Sequence, residues 1–215
     1  MPRGIKSDAE LDLFTAVERG EVMTQVALKQ RVGVSVGLIN ALVKRAVNKG
    51  YVKIRQAPYR RYAYYLTPQG FREKSRLVAK YLETSLSFFR QAREQYAEIF
   101  RQAGESGAEK LVLVGEGELA EIALLAAYGQ QVSVLAVVGE EAGSGRCHGV
   151  PVVADLSQAG AYDGVVITDA RDPQKTYERL RQSFPEARIF APRLLHIAPD
   201  RMDLIAATRR MEDAS

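Results

Sequence analysis

The sequence predicts a two-domain α/β protein, and the prediction rests on how its segments differ in period. Residues 23–65 read as helix, tight turn, helix and basic hairpin; residues 68–103 hold no helix breaker beyond Gly70, near their start; from residue 111 short apolar strands alternate with helices. The boundaries expected from these shifts are 1–68 for the first domain, 69–104 for a long connecting helix and 105–215 for the second domain. A chain of 215 residues accommodates two modest domains and little more.

Ser7 and Glu10 have the spacing of a capping box and predict the start of a first helix, with Leu11, Leu13, Phe14 and Val17 on its apolar face. Thr24 is a good N-cap for a short second helix whose Val26, Ala27 and Val32 are expected to face one side. Gly33 permits the turn, and Ser35 caps a third helix in which Ile39, Leu42, Val43 and Ala46 recur at core spacing. Gly37, Asn40, Ala41, Lys44 and Asn48 fall on the opposite face. Small and amide side chains with a cation beyond them suit the major groove of double-stranded DNA. Gly50 ends that helix, Tyr51–Gln56 alternates as a half-exposed strand, Pro58 sits in a turn, and Arg61–Leu66 returns. Arg55, Arg60 and Arg61 crowd the hairpin tip, where they can lie against phosphates.

The run GVSVGLINALVKRAVNKGYV, followed by this hairpin and then by LTPQG, resembles the winged helix-turn-helix of MarR-like bacterial regulators. The resemblance covers the first third of the chain. It implies DNA binding, with Ser35, Gly37, Asn40, Ala41 and Lys44 on the recognition helix and Arg55, Arg60 and Arg61 in the wing. Charge agrees with it. The net charge of +4 hides a front of 12 Lys/Arg against 5 Asp/Glu in residues 1–70, and a back of 11 against 17 in residues 105–215. A chain basic at one end binds a polyanion by that end.

Thr67 and Pro68 form an N-cap and first-turn pair that opens the long helix. Val78, Leu82, Phe89, Ala92, Tyr96, Ile99 and Ala103 make one stripe along it, widened by Tyr81, Leu86, Phe88 and Phe100. A helix of about 35 residues is about 50 Å long, more than a small domain covers. A second copy of the same helix, giving a homodimer through residues 71–103, is the simplest way to bury the stripe. A helix broken near its middle and packed within its own chain is the alternative. GESG at 104–107 marks the linker, and the tail Met202, Leu204, Ile205 and Met211 is a further candidate for the interface.

The last 110 residues predict a Rossmann-like parallel sheet. Strands are expected at 111–115, 131–138, within PVVADL, at 163–168 and at 188–191, and helices at 118–128 and 173–184. Ile122, Leu124, Leu125 and Ala126 are expected to pack the first of these helices. Gly115, Gly117 and Ala120 match G-x-G-x-x-G/A between a strand and a helix, where a tight turn and free N–H groups can meet a diphosphate. Glu140 and Glu141 end the second strand at about the place where an acid reaches a ribose hydroxyl. With GEGEL, GEE and GRCHGVPV in this order, residues 109–195 resemble the nucleotide-binding, CoA-binding-like modules of sugar O-acyltransferases and polysaccharide-biosynthesis enzymes, and the sensor half of NADH-reading redox repressors. The resemblance implies a small-molecule effector, NAD(H) or a nucleotide sugar, held by Gly115, Gly117, Glu118, Ala120, Glu140 and Glu141. Glu116, Glu118 and Glu121 crowd the same turn and would repel an anion.

No nucleophile elbow, Walker loop or Tyr-x-x-x-Lys pair occurs in the second domain, and His148 and His196 lie outside any recognisable catalytic or metal motif. One cysteine, Cys147, excludes an internal disulfide and a cysteine-rich zinc site. No apolar run approaches the length of a membrane span, and no charged-then-apolar leader precedes the first helix, so the expected location is cytoplasmic. The reading is a dimeric, non-enzymatic transcriptional regulator that senses a nucleotide-containing metabolite and controls polysaccharide genes. An enzyme of nucleotide-sugar or polysaccharide metabolism with a DNA-binding appendage, and an α/β module that docks on another protein, are the alternatives.

Overall fold

A computed structural model describes residues 5–18, 22–57, 61–139 and 145–198, and the chain is α/β. It divides into two compact units at Leu86/Ser87. That division falls inside the long helix α4 (Pro68–Glu105), so the expected independent connecting segment 69–104 is shared: its first half belongs to one unit and its second half to the other. The helix is unbroken.

The first unit contains α1 (Ile5–Val17), β1 (Val22–Met23), α2 (Gln25–Val32), α3 (Val36–Asn48), β2 (Val52–Ala57) and β3 (Arg61–Leu66). Ser7 lies within α1 and is not its N-cap, contrary to the capping-box expectation. The caps of the next two helices are as the sequence predicts. Thr24 Oγ1 accepts from the Ala27 N–H at 3.1 Å and Ser35 Oγ from the Leu38 N–H at 3.3 Å. Gly33 adopts φ +72, a left-handed conformation that lets α2 stop and α3 begin at 95° to it. Ile39, Leu42, Val43 and Ala46 are all buried. In α2 the expected apolar face holds at Val32, which is buried, but not at Val26, 61% exposed, or Ala27, also exposed; Leu28 is buried in their place. The four-residue step from Leu28 to Val32 keeps both on one face, and Val26 lies more than half a turn away from Leu28. Leu13, Phe14 and Val17 of α1 complete this core with Val52, Tyr64 and Leu77, and Phe14 meets Tyr51 edge to face at 5.8 Å.

β2 and β3 form an antiparallel hairpin in register from Val52↔Leu66 to Ala57↔Arg61, and β1 adds to the other edge of β3. Two residues are too few for alternation to register in the sequence, which is why β1 escapes it. In β2 Val52 is buried and Lys53 to Gln56 are exposed. Pro58 and Arg60 lie outside the described residues. Thr67 ties the start of α4 to this unit: its hydroxyl donates to the Gly50 carbonyl at 2.6 Å and accepts from the Gly70 N–H at 3.0 Å.

The second unit carries a sheet in the order β6-β7-β5-β4-β8-β9, made of β4 (Lys110–Val114), β5 (Ser133–Val138), β6 (Arg146–Cys147), β7 (Val150–Val153), β8 (Gly164–Ile167) and β9 (Ile189–Phe190). All neighbours are parallel except the edge pair β6–β7. Helix α5 (Glu118–Ala127) connects β4 to β5, and α6 (Pro173–Arg181) connects β8 to β9. Strict strand–helix alternation fails between β7 and β8, where ten residues hold only a 3-10 turn at Leu156–Ala159, capped by Asp155 accepting from the Ser157 N–H at 2.8 Å. So short a connection leaves no length for a packed helix.

Both faces of the sheet are covered. Leu111, Leu113, Val137 and Val166 pack against α5 and the second half of α4, while Val114, Val165 and Ile167 pack against Tyr177 and Leu180 of α6. Ala92, Tyr96, Ile99, Phe100 and Ala103 are buried in the first of these cores. They are therefore not available to a partner helix, and the expected dimer stripe is shortened to the part before Ala92. In α5, Ile122 and Ala126 are buried and Leu124 packs partly buried, as expected; Leu125 is exposed, and Leu119, Ala120 and Ala123 join the packing. The tail residues Met202, Leu204, Ile205 and Met211 lie outside the described residues. Among those residues no single helix is long and apolar enough to cross a membrane.

Gly70 gives a direct test of the junction between α4 and the first unit. A Cβ there would stand 2.1 Å from the Tyr51 carbonyl oxygen and 2.9 Å from Leu66 Cδ1. Gly70→Ala should destabilise the protein by about 1–3 kcal/mol despite the better helix propensity of alanine. Urea unfolding showing equal or higher stability would contradict this packing.

Candidate functional site

In the first unit the exposed face of α3 presents Gly37, Asn40, Ala41, Lys44 and Asn48 together. Helical spacing aligns Gly37, Asn40, Ala41 and Lys44 along one face. Gly37 has nothing within 4 Å of where a Cβ would be, so the helix is open to close approach there. Ser35 is exposed at the head of the same helix, its oxygen engaged by the cap. Arg55 projects from β2 opposite Ala63, exposed beside Lys53. Arg61 opens β3, and Arg60 lies outside the described residues. Sequence reasoning passed over Arg31 of α2 and Arg45 of α3, both also exposed. A plainer signal identifies them: between Glu21 and Glu73 the chain has ten Lys/Arg and no Asp or Glu. The cations of this segment have no carboxylate within it to pair with.

In the second unit the strand order read as 3-2-1-4-5 places the topological switch point between β4 and β8. The turn Gly115–Gly117 leaves β4 there and starts α5. Its two glycines have different duties. A Cβ on Gly115 (φ +116) would meet the Asp169 backbone nitrogen at 2.3 Å, so this glycine lets the ends of β4 and β8 close together. Gly117 (φ +109) has open space around it and exposes its backbone to the crevice. Thr168, fully buried, donates its hydroxyl to the Gly115 carbonyl and fastens the two strand ends. Ala120 is buried against the sheet, so its role is packing; Glu118 is exposed at the first turn of α5. Glu140 and Glu141 lie outside the described residues. The carboxylate the structure does place at the end of β5 is Glu116, whose Oε2 is 2.2 Å from the Cβ that Gly139 lacks.

Asp169 anchors the far wall. Its carboxylate accepts from the Thr176 hydroxyl at 2.7 Å and from the Arg171 N–H at 2.8 Å. Burial acts to raise its pKa, but these bonds, the Asp172 N–H and the nearby Arg171 charge together hold it below the ordinary aspartate value. From the α4 side, Tyr96 donates its buried hydroxyl to the Ile167 carbonyl at 3.0 Å, and burial pushes its pKa far up. His148 Nε2 stands 3.9 Å from Glu121, both half exposed. Among the described residues no group of three or more His, Cys, Asp or Glu side chains could hold a metal ion.

Because the folded carboxyl of Asp169 titrates below its unfolded value, its contribution to stability is complete above the unfolded range, at about pH 4, and is lost as pH falls through the folded value. Asp169→Asn should therefore flatten the loss of stability on acidification below about pH 4. Thermal melts across that range, wild type against variant, would refute the assignment if both fell alike.

The chain matches no protein-family model and no curated protein. Among solved structures it is similar to "PigF with SAH" at 17% identity and a TM-score of 0.28, over 76% of this chain. The chain spans 62% of the length of that structure. The sequence expectation of a non-enzyme stands against this match and is dropped; at this TM-score the likeness carries no argument for any activity.

Proposed function

We propose that the chain is a DNA-binding transcriptional regulator, with a MarR-like winged helix-turn-helix in its first unit and a Rossmann-like second unit that senses a nucleotide-containing metabolite. The observation that carries the reading is the carboxylate-free segment from Val22 to Arg72, which displays the polar face of α3 beside a basic hairpin. Phosphates attract such a segment without regard to sequence, and Asn40 with Lys44 can read base edges. The 95° angle between α2 and α3 is within the range of helix-turn-helix motifs. A dimer matches two-fold operators, and the uncovered part of α4 is its proposed interface.

Fluorescence anisotropy on a selected operator and on random duplex checks the DNA reading. Asn40→Ala should cost about 1–3 kcal/mol on the operator and relax sequence choice. Arg55→Ala should weaken both duplexes and reduce the salt slope by about 1. A triple Asn40/Lys44/Arg55 alanine variant that binds both duplexes as the wild type does would end the proposal.

For the second unit, the carboxylate of Glu116 at the end of β5 supports a ligand with ribose hydroxyls, since Rossmann-like folds use an acid there for that purpose. Three carboxylates at the turn oppose a bare phosphate. NAD(H) and nucleotide sugars, used as calorimetric titrants, should bind the wild type. Gly117→Ala, which forces an L side chain into φ +109 without a clash, should weaken them tenfold or more while DNA affinity stays unchanged. Absence of binding at millimolar ligand, about −4 kcal/mol, would remove the sensing function.

A further inference from the structure

The stripe on α4 has a symmetry that helical periodicity does not require. From residue 71 to residue 89 it follows the alternating four- and three-residue steps of a coiled-coil seam: Phe71, Ser75, Val78, Leu82, Ser85, Phe89. By size these read large, small, large, large, small, large, a palindrome about Lys80. Along this seam Phe71, Ser75, Leu82 and Phe89 are exposed and Val78 and Ser85 half-buried, and from Ala92 the stripe is buried in the core of the second unit. Phe71, Val78 and Leu82 line an open groove beside Glu18, and Leu86, Phe88 and Phe89 are exposed further on.

A two-fold interface requires that if one residue meets another, the second meets the first on the partner. Antiparallel pairing about residue 80 meets that condition along the whole seam: Phe71 falls against Phe89, Ser75 against Ser85, and Val78 against Leu82. The flanks agree in charge. Arg72 falls opposite Leu86 and Lys74 opposite Phe88, so no like charges meet and the cationic side chains lie along apolar ones. A parallel pairing in register would continue the seam through Ala92 and Tyr96, which are already covered by the sheet of their own chain.

We propose that residues 71–89 of α4 bind the same segment of a second copy, antiparallel, with the two-fold axis at Lys80. The proposal rests on the dimeric reading above and adds its orientation. Disulfide trapping in full-length protein tests it, with Cys147, the one native cysteine, replaced by serine. Ser75→Cys alone and Ser85→Cys alone should stay unlinked under mild oxidation, whereas a mixture of the two should yield a covalent heterodimer. Sedimentation should give a dimer for the parent at micromolar concentration, and Leu82→Glu with Phe89→Glu a monomer. Self-linking of Ser75→Cys, absence of linking in the mixture, or a monomeric parent would each overturn the proposal. DNA affinity of the same samples separates the two ideas: a parent that binds DNA but links in the wrong pattern loses the antiparallel seam and keeps the regulator.

Discussion

A helix of 38 residues carrying one apolar stripe must have that stripe dried along its length, and neither compact unit is large enough to do it alone. The chain meets the constraint only in part. Leu77 is buried in the first unit, on a face adjacent to the stripe, and the residues from Ala92 onward are buried in the second. Between them Leu82, Leu86, Phe88 and Phe89 remain exposed. Thr67 and Gly70 fix where the helix begins, and Tyr96 fixes how it lies on the sheet, through a hydroxyl buried against the end of β8.

Much of this was legible in the sequence, where local chemistry determines local structure. The caps at Thr24 and Ser35, the turn at Gly33 and the core face of α3 depend on neighbours within four residues, and such signals survive without tertiary context. The long helix was legible because its two glycines, Gly70 and Gly104, lie near its ends. What escaped was decided by distant partners. Val26 and Leu28 are equally apolar, and only α1 and α3 determine which of them is buried. The division of the α4 stripe could not be read because Ala92 and Tyr96 continue the same helical stripe as Val78 and Leu82, and the sheet over them is built from residues distant in sequence.

The candidate crevice shows the same limit. The pattern of glycines at 115 and 117 was visible, but not that one serves the closure of two strands and the other the open mouth, since Asp169 lies more than fifty residues away. Glu116 was read as an obstacle to phosphate. Its side chain also lies over Gly139, which makes it a neighbour of the second strand end as well as of the turn.

The carboxylate-free segment from Val22 to Arg72 has a consequence for how its charge responds to the medium. It contains no Asp, Glu, His or Cys, so none of its side chains has an ordinary pKa between about 2 and about 9. Burial, with the neighbouring Tyr62, pushes the pKa of Tyr64 up. Across the acidic and neutral range the segment has no group of its own that ordinarily titrates, so mobile ions, by screening, and competing polyanions, by displacement, are the chief modulators of its field.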